Sequence, residues 1–187
     1  TYGALGAGRI GQCALRIAKG FGCRLLAYDP YENAAAAKDI GFEYAPLEQV
    51  LAESDVISLH LPLNEQSHHL IDALALAKMK RGVVIANTSR GGLIDAPALI
   101  EALKSGQVGG VGLDVYEQEE GVFFHDLSDR PLQDDILARL MSFPNVLITS
   151  HQGFLTREAL HAIAVTILES ARAFEHGEAL VNEVKPA

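Results

Sequence analysis

Two groups of residues in this 187-residue sequence have the types and spacing to do chemistry. The first is Gly6-Ala7-Gly8-Arg9-Ile10-Gly11, a G-x-G-x-x-G run between a short apolar segment and a helix-like pattern. Gly6 permits a tight turn, Gly8 lets the backbone approach a pyrophosphate, and Gly11 lets the helix pack closely on the strand. The helix N-terminus then turns free N–H groups and the positive end of its dipole toward the phosphates. Asp29 stands 18 residues after Gly11, near the spacing at which an acid accepts hydrogen bonds from an adenosine ribose. A carboxylate there repels a 2′-phosphate, which favours NAD over NADP. Asp29 could instead simply open the Asp29-Pro30 turn, but its register with the strand and the glycines favours the ribose role.

The second group is spread out: Arg90, an acidic run Glu117-Gln118-Glu119-Glu120, and His151. Arg90 offers a planar fork that matches a carboxylate. His151 is a candidate general acid and base, because an imidazole titrates near neutrality. A carboxylate partner would hold such a histidine charged and oriented. On residue types alone, any of Glu117, Glu119 and Glu120 could be that partner. Together they could supply a cation for an anionic ligand and an oriented acid–base group.

These residues must be positioned by the elements around them. Short apolar runs at 2–5, 24–28, 56–59, 83–87, 110–113 and 146–149 read as strands, with 42–44 as a further short one. Most are continuously apolar, as in strands covered on both faces. Helical patterns are expected over 32–40, 47–53, 72–79, 95–105, 134–141 and 157–176. Ile10, Cys13, Ala14, Ile17 and Phe21 recur at helical spacing and share one face of the first helix. The last helix carries an apolar stripe of Leu160, Ile163, Ala164, Ile167, Leu168, Ala171 and Phe174. Strand and helix alternate almost throughout, apart from an irregular stretch near 118–133. That order predicts an α/β fold, a Rossmann-like doubly wound parallel sheet with helices on both faces. Asn87, Leu113 and Thr149 end strands, so the three chemical segments converge outside the carboxyl edge of one sheet.

Composition narrows the function classes. The chain is 49% hydrophobic and 21% charged, ordinary for a globular domain. A net charge of −9 argues against a nucleic-acid partner. No apolar run is long enough for a membrane span, so no membrane partner is expected. Cys13 and Cys23 fit a reduced, cytoplasmic protein. No set of His, Cys and acid residues has metal-ligand spacing, so no metal is expected. His68-His69 reads as an exposed loop pair, His125 lies in the irregular stretch, and His161 and His176 sit on the last helix.

Three segments resemble one family. Asn87-Thr88-Ser89-Arg90-Gly91-Gly92-Leu93-Ile94-Asp95, Gly112-Leu113-Asp114-Val115-Tyr116-Glu117-Gln118-Glu119 and Ser150-His151-Gln152-Gly153-Phe154-Leu155-Thr156 are similar to motifs of D-isomer-specific 2-hydroxyacid dehydrogenases. Gly121-Val122-Phe123-Phe124-His125-Asp126 and the segment from Gln133 resemble its fermentative D-lactate dehydrogenase branch.

The resemblance implies an NAD-dependent oxidoreductase that interconverts pyruvate and D-lactate. Arg90 would bind the substrate carboxylate, Glu119 would tune His151, and His151 would be the acid and base. Gly6, Gly8, Arg9, Ile10, Gly11, Asp29, Leu61, Pro62, Thr88, Ser89 and Asp114 would meet NAD, and Phe154 would lie beside the substrate. At His60 the backbone, more than the ring, would touch the cofactor. Many members carry Leu-Thr-Pro where this sequence has Leu63-Asn64-Glu65. The family implies a homodimer, with residues 1–153 as the NAD-binding domain and 154–187 as a helix and tail returning to a substrate domain. The first strand begins at residue 2, so that substrate domain is expected to precede this chain, while 180–186 resembles the family's natural tail. Another 2-hydroxyacid dehydrogenase, such as one for hydroxyisocaproate or glyoxylate, and a non-catalytic NAD(H)-sensing scaffold are the alternatives that the same residues allow.

Overall fold

The computed structural model describes residues 1–127, 129 and 131–184. Positions 128 and 130 of the irregular stretch, and 185–186 of the tail, lie outside the described residues. The chain folds as two compact units, Thr1–His151 and Gln152–Ala187.

The first unit is a seven-stranded parallel sheet in the order β3-β2-β1-β4-β5-β6-β7. Its elements are β1 (Tyr2–Leu5), α1 (Arg9–Gly20), β2 (Leu25–Tyr28), α2 (Ala34–Ile40), β3 (Glu43–Tyr44), α3 (Leu47–Glu53), β4 (Val56–Leu59), α4 (Ala73–Lys78), β5 (Val83–Asn87), α5 (Ala96–Ser105), β6 (Val108–Leu113), α6 (Asp135–Met141) and β7 (Val146–Ile148). This is the predicted Rossmann-like α/β fold. The strand order reverses direction between β1 and β4, and a ligand crevice opens at such a switch point.

Alternation along the strands builds a core on each face. Leu5, Leu26, Ile57, Leu59 and Ile85 pack with residues of α3, α4 and α5, whereas Ala4, Leu25 and Ala27 pack with α1 and α2. Each large aliphatic side chain taken fully out of water contributes roughly 1.5–3 kcal/mol. Helix starts follow from capping residues. Asn33, Asp72, Asp95 and Asp134 each accept a hydrogen bond from the backbone N–H three residues on, worth about 1 kcal/mol apiece. α1 has no such side-chain cap.

The stripe Ile10, Cys13, Ala14, Ile17 and Phe21 does share a face of α1, but that face is not the buried one. Gly11, Leu15 and Ala18 are buried, while Ile10, Ile17 and Phe21 are exposed. The reason is steric. A Cβ on Gly11 would lie 2.0 Å from the Gly6 carbonyl oxygen, so at this point the helix approaches the glycine loop too closely for any side chain.

The second unit contains α7 (Arg157–Glu175), started by Thr156, whose hydroxyl accepts from the Ala159 N–H. Leu160, Ile163, Ile167, Leu168 and Phe174 of its predicted stripe are exposed. Among the described residues no helix is long and apolar enough to cross a membrane.

Candidate active site and cofactor cleft

The glycine loop joins β1 to α1 at the switch point. Gly6 has φ +101°, and a Cβ there would lie 2.7 Å from the His60 carbonyl carbon at the end of β4. Gly8 differs: a Cβ would meet nothing within 4 Å. With no capping side chain and no acid in its first turn, α1 presents unfilled N–H groups and the positive end of its dipole.

Asp29 follows β2. Its Oδ2 accepts from the Ala7 N–H at 2.7 Å and its Oδ1 from the Tyr31 N–H at 2.8 Å. Those bonds fix the carboxylate beside the glycine loop, and each oxygen keeps a further lone pair for a ligand hydroxyl. A cavity of about 310 Å³ opens here, lined in part by Gly8, Tyr28, Asp29, Leu61 and Pro62. Its volume is at the lower end for small-molecule sites. An open cradle, an uncapped helix start and a fixed acid fit a dinucleotide. Of the other predicted contacts, Arg9 and Ile10 are exposed on the first turn of α1 and Thr88 is exposed after β5. Ser89 donates its hydroxyl to the Leu61 carbonyl at 2.7 Å, tying the ends of β4 and β5 together.

Buried Asn87 shapes the loop that presents Arg90. Its Nδ2 donates to the Arg90 carbonyl at 2.9 Å, and its Oδ1 accepts from the Ser89 N–H at 3.0 Å. The Arg90 guanidinium is exposed and donates to the Ser89 carbonyl. Gly91 follows, and a Cβ there would lie 2.1 Å from the Tyr116 carbonyl carbon and 2.2 Å from the Glu117 nitrogen. Only glycine lets these two loops meet backbone to backbone. The approach brings Arg90 and Glu119 to one cavity of about 890 Å³.

His151 Nδ1 lies 2.8 Å from Glu119 Oε1. A carboxylate only accepts, so Nδ1 carries the proton and the ring is fixed with Nε2 on its opposite side. The other Glu119 oxygen accepts from the Tyr116 N–H at 3.0 Å. The structure thus pairs His151 with Glu119 among the three acids. His151 and Ser150 are both left-handed, with φ +55° and +54°, a conformation that costs non-glycine residues energy and is retained mostly at functional sites. The backbone N–H of His151 donates to the Asp114 carbonyl, and Asp114 Oδ1 accepts from the Thr149 hydroxyl. Phe124 packs beside the imidazole, with ring centroids 5.9 Å apart. Phe154 belongs to the second unit and is exposed.

Three features left no signal in the sequence. His60 Nε2 is 2.9 Å from the Ser58 hydroxyl, which accepts from the Tyr2 hydroxyl at 2.7 Å. Burial lowers the His60 pKa, so this ring lining the smaller cavity favours its neutral form. Tyr116 donates its hydroxyl to Asp134 at 3.0 Å, and burial and then that bond push its pKa up. Finally, His68, His69 and Glu117 converge. The expectation of no metal rested on sequence spacing, which does not reveal donors 48 residues apart.

A dinucleotide-binding α/β domain carrying an arginine and a histidine–carboxylate pair is the class that this fold and site define. Residues 1–153 match the D-isomer specific 2-hydroxyacid dehydrogenase family, in its NAD binding domain. The chain belongs to that family. It is 52% identical over 184 residues to D-lactate dehydrogenase of Escherichia coli, covering 98% of this chain and 56% of the relative. It is 46% identical over 176 residues to an aromatic 2-oxoacid reductase of Clostridium sporogenes, covering 94% of this chain and 53% of the relative. It is also similar to the crystal structure of D-lactate dehydrogenase with NAD+ from Lactobacillus jensenii, with a TM-score of 0.92, 31% identity, and coverage of 99% of this chain and 55% of that one. The chain spans about half the length of these relatives.

Proposed function

We propose that the protein carrying this chain reduces a 2-oxo acid to the D-2-hydroxy acid, with pyruvate and D-lactate as the leading pair. The observation that carries the reading is the 2.8 Å bond from a backbone-strained His151 to Glu119. Bound NADH supplies the hydride. Arg90 binds the substrate carboxylate through its guanidinium fork. His151 gives its Nε2 proton to the ketone oxygen and takes it back in the reverse direction. Glu119 keeps the ring oriented through Nδ1, and Phe154 stands beside the substrate.

We assign the dinucleotide to Gly6, Gly8, Arg9, Ile10, Gly11, Asp29, Leu61, Pro62, Thr88, Ser89 and Asp114. Residues 1–153 form the NAD-binding domain, and 154–187 return to a substrate domain. The exposed Ile17 of α1 and Phe21 just after it support a homodimer, testable by light scattering. Two free cysteines support a reduced, cytoplasmic setting.

The test is NADH oxidation against a panel of pyruvate, phenylpyruvate and glyoxylate. Pyruvate is expected to give the highest kcat/KM, and Arg90→Ala to raise its KM strongly. The aromatic 2-oxoacid reductase relative favours a second reading, an aromatic side chain on the substrate; preference for phenylpyruvate would establish it. NADH binding without turnover on any of the three would overturn both.

A further inference from the structure

We propose that His68, His69 and Glu117 form a metal site separate from the proposed catalytic pair, an exposed three-donor site for a borderline divalent transition-metal ion such as Zn2+. His69 Nε2 is 2.9 Å from Glu117 Oε1, and His68 Nε2 is 3.4 Å from the same oxygen. The two imidazoles are stacked, with centroids 3.9 Å apart and planes 24° apart. All three donor atoms lie within 4.8 Å of one another. Two imidazoles and a carboxylate make a donor set that zinc takes, with bonds of about 2.0–2.2 Å and a fourth position for water. Tetrahedral donors at that distance stand roughly 3.4 Å apart. The His68–Glu117 separation already matches, and the His69–Glu117 separation must open by about 0.5 Å, which side-chain rotation supplies.

Two further observations set this cluster apart from a chance surface ion pair. The first is that its backbone is fixed before any ion arrives. Asn64 Oδ1 accepts from the Gln66 and Ser67 N–H groups, and the His69 N–H donates to the Gly92 carbonyl at 2.8 Å. Gly91 in turn packs against the Tyr116–Glu117 backbone. One set of close approaches therefore holds both the histidine pair and the acid. The second is strain. Among the described residues three non-glycine positions have positive φ: Ser150, His151 and His69. One is the proposed acid–base residue His151, Ser150 directly precedes it, and the third, His69, places its ring beside Glu117. Such conformations persist where surrounding structure or function requires them.

An ordinary ion pair needs one imidazole. Two stacked rings facing one carboxylate oxygen bring two imidazole nitrogens and an acid to one point, where a single dication would take all three as ligands. Imidazole donors select zinc, copper or nickel over magnesium or calcium. An ion here would tie the loop lining the cofactor cavity to the segment that carries Glu119.

The test is calorimetric titration of the whole chain with ZnCl2, with far-UV circular dichroism to confirm folding of each variant. One Zn2+ should bind per chain at micromolar concentration. Affinity should fall roughly tenfold or more in His69→Ala and in Glu117→Gln, the latter nearly isosteric. His151→Gln should leave it unchanged, and Mg2+ should give no binding under the same conditions. Absence of saturable one-site binding, wild-type affinity in both cluster variants, or loss confined to His151→Gln would overturn the proposal.

Discussion

Two alanine substitutions within the glycine loop should separate folding from cofactor binding. At Gly11 the added Cβ would sit 2.0 Å from the Gly6 carbonyl oxygen, and ordinary contact begins near 3.4 Å. Helix and loop must therefore part by about 1.4 Å, disturbing the approach that seats Leu15 and Ala18 in the core. Overpacking of this kind costs about 1–3 kcal/mol, and more where backbone must move. At Gly8 the added methyl meets nothing within 4 Å, and φ −69° with ψ −165° suits alanine. Its stability cost should stay within about 1 kcal/mol, the loss from placing alanine at a helix N-cap. The methyl would nonetheless enter the space that the proposed assignment gives to a pyrophosphate at the α1 N-terminus. Urea denaturation and NADH fluorescence titration of both variants give the comparison. Gly11→Ala should lower the urea midpoint markedly. Gly8→Ala should keep the midpoint near wild type and weaken NADH binding roughly tenfold or more. Gly8→Ala binding NADH like wild type, or Gly11→Ala matching wild-type stability, would refute the reasoning.

Gly91→Ala should destabilise by at least about 2 kcal/mol and depress turnover, because its Cβ would collide with the Tyr116–Glu117 backbone and part Arg90 from Glu119; denaturation and steady-state assays check both. His60 is held neutral by burial, so the unfolded chain binds the more protons at low pH. Stability should therefore fall as pH drops below the ordinary imidazole value of about 6.5, and His60→Gln should flatten that fall in urea midpoints taken between about pH 5 and 7.5. Glu119→Gln should lower kcat by about 10²-fold and leave the KM for NADH near wild type.

Much of the sheet was legible because parallel strands buried on both faces are short apolar runs, and Val56–Leu59 and Val83–Asn87 stand at the bounds expected for them. The spans expected from 72, 95 and 134 each begin one residue before α4, α5 and α6, because Asp72, Asp95 and Asp134 are the caps of those helices. The face of α1 was not legible, because apolar periodicity weights bulk, whereas this helix buries Gly11 and Ala18 beside Leu15 to approach a glycine loop. Residue types alone left Glu117, Glu119 and Glu120 equivalent. What separates them is a turn in which Glu119 caps the Tyr116 N–H and reaches His151, while Glu117 faces His69. Pairings such as Tyr116–Asp134 and His69–Glu117 depend on loops meeting in space and leave no periodic trace.

In the proposed mechanism His151, oriented by Glu119, moves the proton. This step is tested most directly by kcat for NADH oxidation with pyruvate in the protein carrying this chain, wild type against His151→Gln, alongside NADH binding by fluorescence. The expected result is a fall in kcat of roughly 10²–10⁴-fold with NADH affinity unchanged. A variant that turns over at the wild-type rate while binding NADH normally would contradict it.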